Sequence, residues 1–194
     1  MALLFLAVWP SGRLAAQVSL RASLGARFST ALVKDSIVVP IQLKPGIAPA
    51  LLLSVREDFH GPYTGDLTID LSPTTLKREE SGTSADAGSV TTVAFTVGLR
   101  RELHPGVAAR LGLGGLKYLT DNTGVFQQGD GGVFPLIALG ASYAPSFGAR
   151  QQLEVGLHYD VHRFMTPALR TTGFPNPRPV HRLALSVSAR LIGK

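Results

Sequence analysis

The chain contains no cysteine. That excludes a disulfide framework and any thiolate metal site, and it suits a chain that crosses an oxidising compartment. Charge is scarce. Asp, Glu, Lys and Arg make up 16% of the 194 residues, against roughly 25% in an ordinary soluble domain. No apolar run approaches the roughly 20 residues of a membrane-spanning helix. No stretch after residue 17 holds a convincing 3.6-residue apolar period. Phosphate-binding loops, GxSxG elbows and HExxH motifs are all missing. Yet the mean hydropathy is positive. A chain that is apolar on average but lacks an apolar helix has spread its apolar residues through alternating strands.

What charge there is leans basic, with 19 Lys+Arg against 13 Asp+Glu. The arginines are dispersed rather than gathered in a patch with exposed aromatics, so no nucleic-acid partner is expected. The first residues read as a targeting segment. Ala2 to Trp9 form a short apolar core, Pro10, Ser11 and Gly12 break it, and Leu14-Ala15-Ala16 resembles a signal-peptidase site. The expected division is a signal peptide over 1–16 and a single β-barrel domain over 17–194.

After Gln17 the period is two. Val18, Leu20, Ala22, Leu24, Ala26 and Phe28 share one face, and Ser19, Arg21, Ser23, Gly25, Arg27 and Ser29 the other. The pattern recurs around Leu51–Val55, Leu67–Leu71, Val93–Leu99, Val107–Leu113, Ile137–Tyr143, Leu153–Val161 and Leu183–Leu191. That predicts eight strands. Pro45, Pro49, Pro73 and Pro135 are expected toward strand ends, where a missing donor is tolerated. Long connections, about 30–46, 77–89, 119–132 and 165–179, alternate with short ones, about 58–64, 101–106 and 144–150. The segments KREESGTSADAGS and TTGFPNPRP read as polar loop material, and His104-Pro105-Gly106-Val107 as a type II turn. Long loops at one end and tight turns at the other is the topology of an outer-membrane barrel.

The non-apolar face decides between a membrane barrel and a soluble one. It is mostly Ser, Thr, Gly and Ala, punctuated by Arg, Asp, Glu and His, with almost no Lys. That is too small and too sparsely charged for a solvated exterior. It suits the interior of an eight-stranded barrel, which side chains fill. The apolar face then meets lipid, where a charge at mid-depth costs roughly 2–4 kcal/mol. Tyr143, Phe147 and Tyr159 fall where an aromatic girdle is expected. On this pattern the chain resembles the small eight-stranded outer-membrane β-barrels of the OmpA/OmpX type. The resemblance covers about residues 17–194 and implies an all-β, antiparallel, up-and-down transmembrane barrel in the outer membrane. It implies lipid, lipopolysaccharide and the barrel-insertion machinery as partners. Such barrels usually end in an aromatic residue, whereas this chain ends RLIGK.

The polar residues are then candidates for a lumen network: Arg21, Arg56, Asp66, Asp70, Arg110, Glu154, His158, Asp160, His162, Arg182 and Arg190. Folding 50–56 onto 66–71 about residue 61 puts Arg56 opposite Asp66. Folding the last two strands about residue 172 puts Glu154 opposite Arg190 and His162 opposite Arg182, with Asp160 diagonal to Arg182. Arginines outnumber acids on this face, so some are expected at wet mouths, where an anion could bind. His158, Asp160 and His162 recur at every second position and are also the candidate metal ligands. Ser186 facing His158 is the one candidate for nucleophilic chemistry. The lipid A deacylases on this architecture place a Ser two residues after a His, and here that position is Asp160. No cofactor and no catalysis are expected. The expected role is structural or adhesion-type, with long loops making the contacts. The alternatives are a narrow channel or small-ligand carrier, a lipid A-modifying enzyme, and a soluble lipocalin-like periplasmic binding protein.

Overall fold

A computed structural model describes residues 18–35, 41–59, 61–121, 124–145, 153–174 and 176–193. The expected signal peptide over 1–16, Phe147 and Lys194 lie outside them. Among the described residues ten strands run β1 (Val18–Ser29), β2 (Val33–Asp35), β3 (Ile41–Pro45), β4 (Ala48–Asp58), β5 (Tyr63–Glu80), β6 (Thr83–His104), β7 (Val107–Thr120), β8 (Val133–Tyr143), β9 (Leu153–Phe164) and β10 (Arg178–Ile192). All ladders are antiparallel. Leaving out β2 and β3, the strands pair β1–β4–β5–β6–β7–β8–β9–β10 and back to β1. The eight expected strands thus close into one up-and-down barrel. β2 and β3 form a small hairpin that adds onto the outer part of β5.

Why the wall forms is visible in the alternation. On β4 the side chains of Ala50, Leu52 and Ser54 are buried while Leu51, Leu53 and Val55 stand exposed. The same inversion runs round the ring through Ile69, Val97, Leu113, Ile137, Val155 and Leu185, all exposed. A soluble fold buries its large aliphatics. Here they form an outer belt, and Arg27, Asp160 and Arg182 are the buried groups. Closing the ring leaves no unpaired edge, which spanning a bilayer with strands requires. Barrel strands of 11 residues or more meet the roughly 9–11 that a tilted transmembrane strand needs. The soluble alternative fails here, since the large aliphatics of the barrel strands stand on the outside.

Two expectations are corrected. The stretch 77–89 is not a loop. β5 and β6 continue past the barrel rim and turn tightly at Ser81-Gly82, both at positive φ (48° and 83°), the conformation of a type I′ hairpin turn. The segment reads as loop material because the protruding strands are wet on both faces and lose their alternation. Pro73 likewise lies inside β5 rather than at its end. β4 pairs with β5 up to Leu71 and β3 resumes at Leu76, so Pro73 sits where that edge of β5 has no ladder partner to lose.

The long-loop end is closed by an apolar cap. Leu32, Leu76, Val90, Leu116, Tyr118, Phe126, Phe134, Phe164, Leu169 and Val180 form one buried cluster. Tyr118 meets Phe164 edge-on at 5.1 Å and Phe134 at 5.7 Å. A one-turn helix, α1 (Pro167–Thr171), helps to seat it. Thr166 caps α1, with the Leu169 N–H donating to Thr166 Oγ1 at 3.3 Å. The same hydroxyl donates to the Val125 carbonyl at 2.6 Å and so ties two loops together. In the loop before β8 the Gly132 N–H donates to Asp130, which holds that carboxyl below its ordinary range. A closed barrel with this exterior is expected to migrate differently on a gel when boiled and unboiled after folding in detergent. Protein that stays soluble without detergent and shows no shift would contradict it.

Candidate functional site

The lumen is built from inward positions of every barrel strand, and its charges are stacked in layers. At the level nearest the cap, Arg182 of β10 is held by two acids. Its Nε donates to Asp160 Oδ1 at 2.7 Å and its Nη2 to Asp160 Oδ2 at 3.0 Å and Asp70 Oδ2 at 3.1 Å. Its Nη1 donates to Thr92 Oγ1 at 2.9 Å. Arg27 pairs with the same Asp70 and donates to Ser72 Oγ at 2.9 Å. A bidentate fork between fully buried partners is the strong form of this interaction, and loss of either partner would strand a charge in the wall.

One layer down, Arg110 Nε donates to Asp66 Oδ1 at 2.9 Å and Oδ2 at 2.8 Å, and its Nη2 reaches Thr96 Oγ1 at 2.9 Å. Room for this guanidinium comes from glycine. A Cβ on Gly98 would lie 2.6 Å from Arg110 Nη2, and one on Gly112 2.9 Å from Nη1. At the short-turn mouth, Glu154 accepts from Arg56 at 2.9 and 3.0 Å and from Arg100 at 2.7 Å, with Arg21 at 3.6 Å. Arg190 lines the same mouth.

The HYDVH strand contributes to three different partnerships. Asp160 takes Arg182. His158 Nε2 is hydrogen-bonded to Ser186 Oγ at 3.0 Å. His162 Nε2 is hydrogen-bonded to the Tyr118 hydroxyl at 2.8 Å, beneath the aromatic cap. No group of three metal-binding side chains converges among the described residues. The β4–β5 register is as expected, with Arg56 opposite Asp66. The last hairpin is slipped by two residues from the expected register. Asp160, not His162, stands opposite Arg182, and Glu154 stands opposite Ser188 rather than Arg190. Asp160 is the better partner for Arg182 because it answers a full charge with a charge. Ser186 accordingly lies opposite Gly156 and reaches His158 along the diagonal.

The Ser186–His158 pair has hydrogen-bond geometry but a poor setting for catalysis. No carboxylate is hydrogen-bonded to His158 among the described residues, so the third, orienting group of a triad is absent there. The adjoining space in the lumen is only about 50 Å³, too small for an acyl chain. Sequence reasoning missed Arg100 as a Glu154 partner and Tyr118 as the partner of His162. Parity places both on the inward face, since Tyr118 follows Arg110 by eight residues, but it does not say which group either one meets.

This lumen, walled by eight strands and belted with lipid-facing aliphatics, can be set beside known structures. The barrel resembles Ail, the attachment invasion locus protein of Yersinia pestis, solved in complex with the heparin analogue sucrose octasulfate. That match has a TM-score of 0.55 at 14% identity, covering 90% of this chain and 99% of Ail. This chain has the fold of the small outer-membrane β-barrels. It is also similar to the Neisserial surface protein A (TM-score 0.53, 10% identity, 90% and 96% covered) and to OprG from Pseudomonas aeruginosa (TM-score 0.53, 10% identity, 93% and 98% covered). No protein-family model and no curated protein sequence matches it. In this small barrel the ion-pair layers are the filling. Asp160→Ala is expected to destabilise by roughly 3 kcal/mol or more, because Arg182 stays buried with half its counter-charge. Ser186→Ala is expected to cost about 1 kcal/mol. Urea unfolding in detergent would rank them, and equal midpoints for the two would contradict the ion-pair assignment. Gly98→Val should fail to close around Arg110 and lose the boiling-dependent gel shift.

Proposed function

We propose that this protein is a non-catalytic outer-membrane barrel of structural or adhesion type, whose outer face acts by contact. The observation that carries the reading is a contrast between lumen and rim. The lumen is obstructed twice, by the Arg27–Asp70–Arg182–Asp160 layer and by the apolar cap above it. The rim, in contrast, is extended. β2, β3 and the outer parts of β5 and β6 form a sheet that projects beyond the barrel wall. Among the described residues β2 pairs in the sheet with β3, and β6 from Thr83 to Ser89 precedes its first pairing with β7 at Val90. This outer edge of β6 therefore presents backbone groups that a partner's strand can join.

A filled eight-stranded lumen does not serve as a general pore, which takes about 16 strands. The similarity to Ail, a protein named for attachment and invasion, supports a contact role, as does the absence of an orienting acid beside the Ser186–His158 pair among the described residues. Lipid and lipopolysaccharide then surround the exposed aliphatic belt, and the long loops face outward, as in barrels of this class. The insertion machinery would deliver the chain after removal of residues 1–16.

The test is a shortened rim. Joining Leu76 to Val90 through a two-residue turn removes the projecting hairpin while leaving the lumen layers intact. Bacteria displaying the wild-type protein are expected to adhere to a matrix-coated surface, and the shortened variant to lose that adhesion while keeping its boiling-dependent mobility. Equal adhesion by both, or by neither relative to empty cells, would sink the contact role. Planar-bilayer recordings should show no steady conductance, and a stable open level would favour the narrow-channel alternative.

A further inference from the structure

The short-turn mouth is unlike the rest of the lumen, because among the described residues its charges do not balance. Deeper in the barrel, Asp70 and Asp160 answer Arg27 and Arg182, and Asp66 answers Arg110. At the mouth, Arg21, Arg56, Arg100 and Arg190 surround the single buried carboxylate of Glu154. Two more acids, Asp58 and Glu102, line the opening. Asp58 accepts from Thr64 Oγ1 at 2.9 Å and Glu102 from the Gly106 N–H at 3.3 Å, both in exposed turns. Among the described residues neither makes an ion pair with the four arginines. Even counting them, four positive charges stand against three negative ones among the described residues.

The ladder makes the imbalance sharper. Arg190 lies directly opposite Arg21 across β1 and β10, and like charges at opposed positions of a sheet repel. No acid pairs with Arg190 among the described residues, and its Nε is buried without a hydrogen-bond partner. A buried donor left unmade is costly. The arginines border an open cavity of about 580 Å³, within the usual size of a small-ligand site. Guanidinium forks match the oxygens of phosphate and sulfate groups in geometry as well as charge.

We infer that the short-turn mouth is a binding site for a phosphate- or sulfate-type oxyanion, held by Arg190 together with Arg21, Arg56 and Arg100. Glu154 keeps three of these arginines oriented inward, and the anion supplies Arg190 with the counter-charge that it lacks among the described residues. The group can belong to a free small molecule or to a lipid headgroup at the inner rim. The site lies at the opposite end of the barrel from the projecting hairpin, so it stands independently of any adhesive role.

The probe is pyrophosphate, titrated calorimetrically at low ionic strength into the full chain folded in a non-ionic detergent. One saturable site is expected. Arg190→Gln is expected to weaken binding about tenfold, the loss of one charge-assisted hydrogen-bonded group. Arg170→Gln, at the far end in α1, should bind as the wild type does. Because Arg190 carries no ion pair among the described residues, its variant should keep the boiling-dependent gel shift. If it does not fold, Arg190→Lys retains the charge without the fork and is expected to weaken binding measurably. The inference is overturned if the wild type shows no saturable binding, if the Arg170 and Arg190 variants lose affinity alike, or if a folded Arg190 variant binds as the wild type does. Repeating the titration in nanodiscs separates the sources. Binding kept in phosphatidylcholine but lost in phosphatidylglycerol assigns the site to an anionic headgroup, and binding kept in both assigns it to a free anion.

Discussion

An eight-stranded ring encloses a narrow space too polar to be left dry, and everything else in this protein follows from how that space is filled. The solution is charge answered by charge. Arg182, almost wholly buried, is gripped by Asp160 and Asp70 from strands β9 and β5. Those two strands are not neighbours in the ring. Arg182 therefore braces the barrel across its diameter; lower down Arg56–Glu154 links β4 to β9, and Arg110–Asp66 reaches across β6 from β7 to β5. Water cannot substitute easily for any partner at that depth, so each layer constrains the others.

The exterior is the complement of that interior. Because the polar groups have partners inside, the outer positions are free to be aliphatic, and the scarcity of charge follows directly. Inward glycines are part of the same arrangement. Gly98 and Gly112 exist where a guanidinium needs the volume that a methyl would occupy. Only at the two ends does the pattern relax. The outer end replaces ions with an aromatic cap, and the inner end keeps an excess of arginine beside an open cavity.

The strands and the facing of their residues were legible because alternation is a local signal with a period of two. The β4–β5 register was legible as well, since a short turn leaves little freedom in how two strands align. The β9–β10 register was not. Its connection carries α1 and a long irregular segment, so a two-residue slip preserves every inward and outward assignment and cannot be detected by pattern. The hairpin at Ser81-Gly82 was hidden for the opposite reason. Outside the membrane both of its faces meet water, so no alternation remains to mark it.

The opening stretch of β9 shows where the boundary lies. By itself the sequence determined that His158, Asp160 and His162 share one inward face, because side-chain direction in a strand depends only on parity. Which partner each one meets was decided by register and by the curvature of the wall. Ser186 and Arg182 come from β10, as its register on β9 sets them, and Tyr118 comes from β7, across β8, each within about 3 Å. Architecture was carried by short-range periodicity. Partnership was carried by contacts between residues far apart in the chain, and those depend on register, ring closure and the space left by glycine.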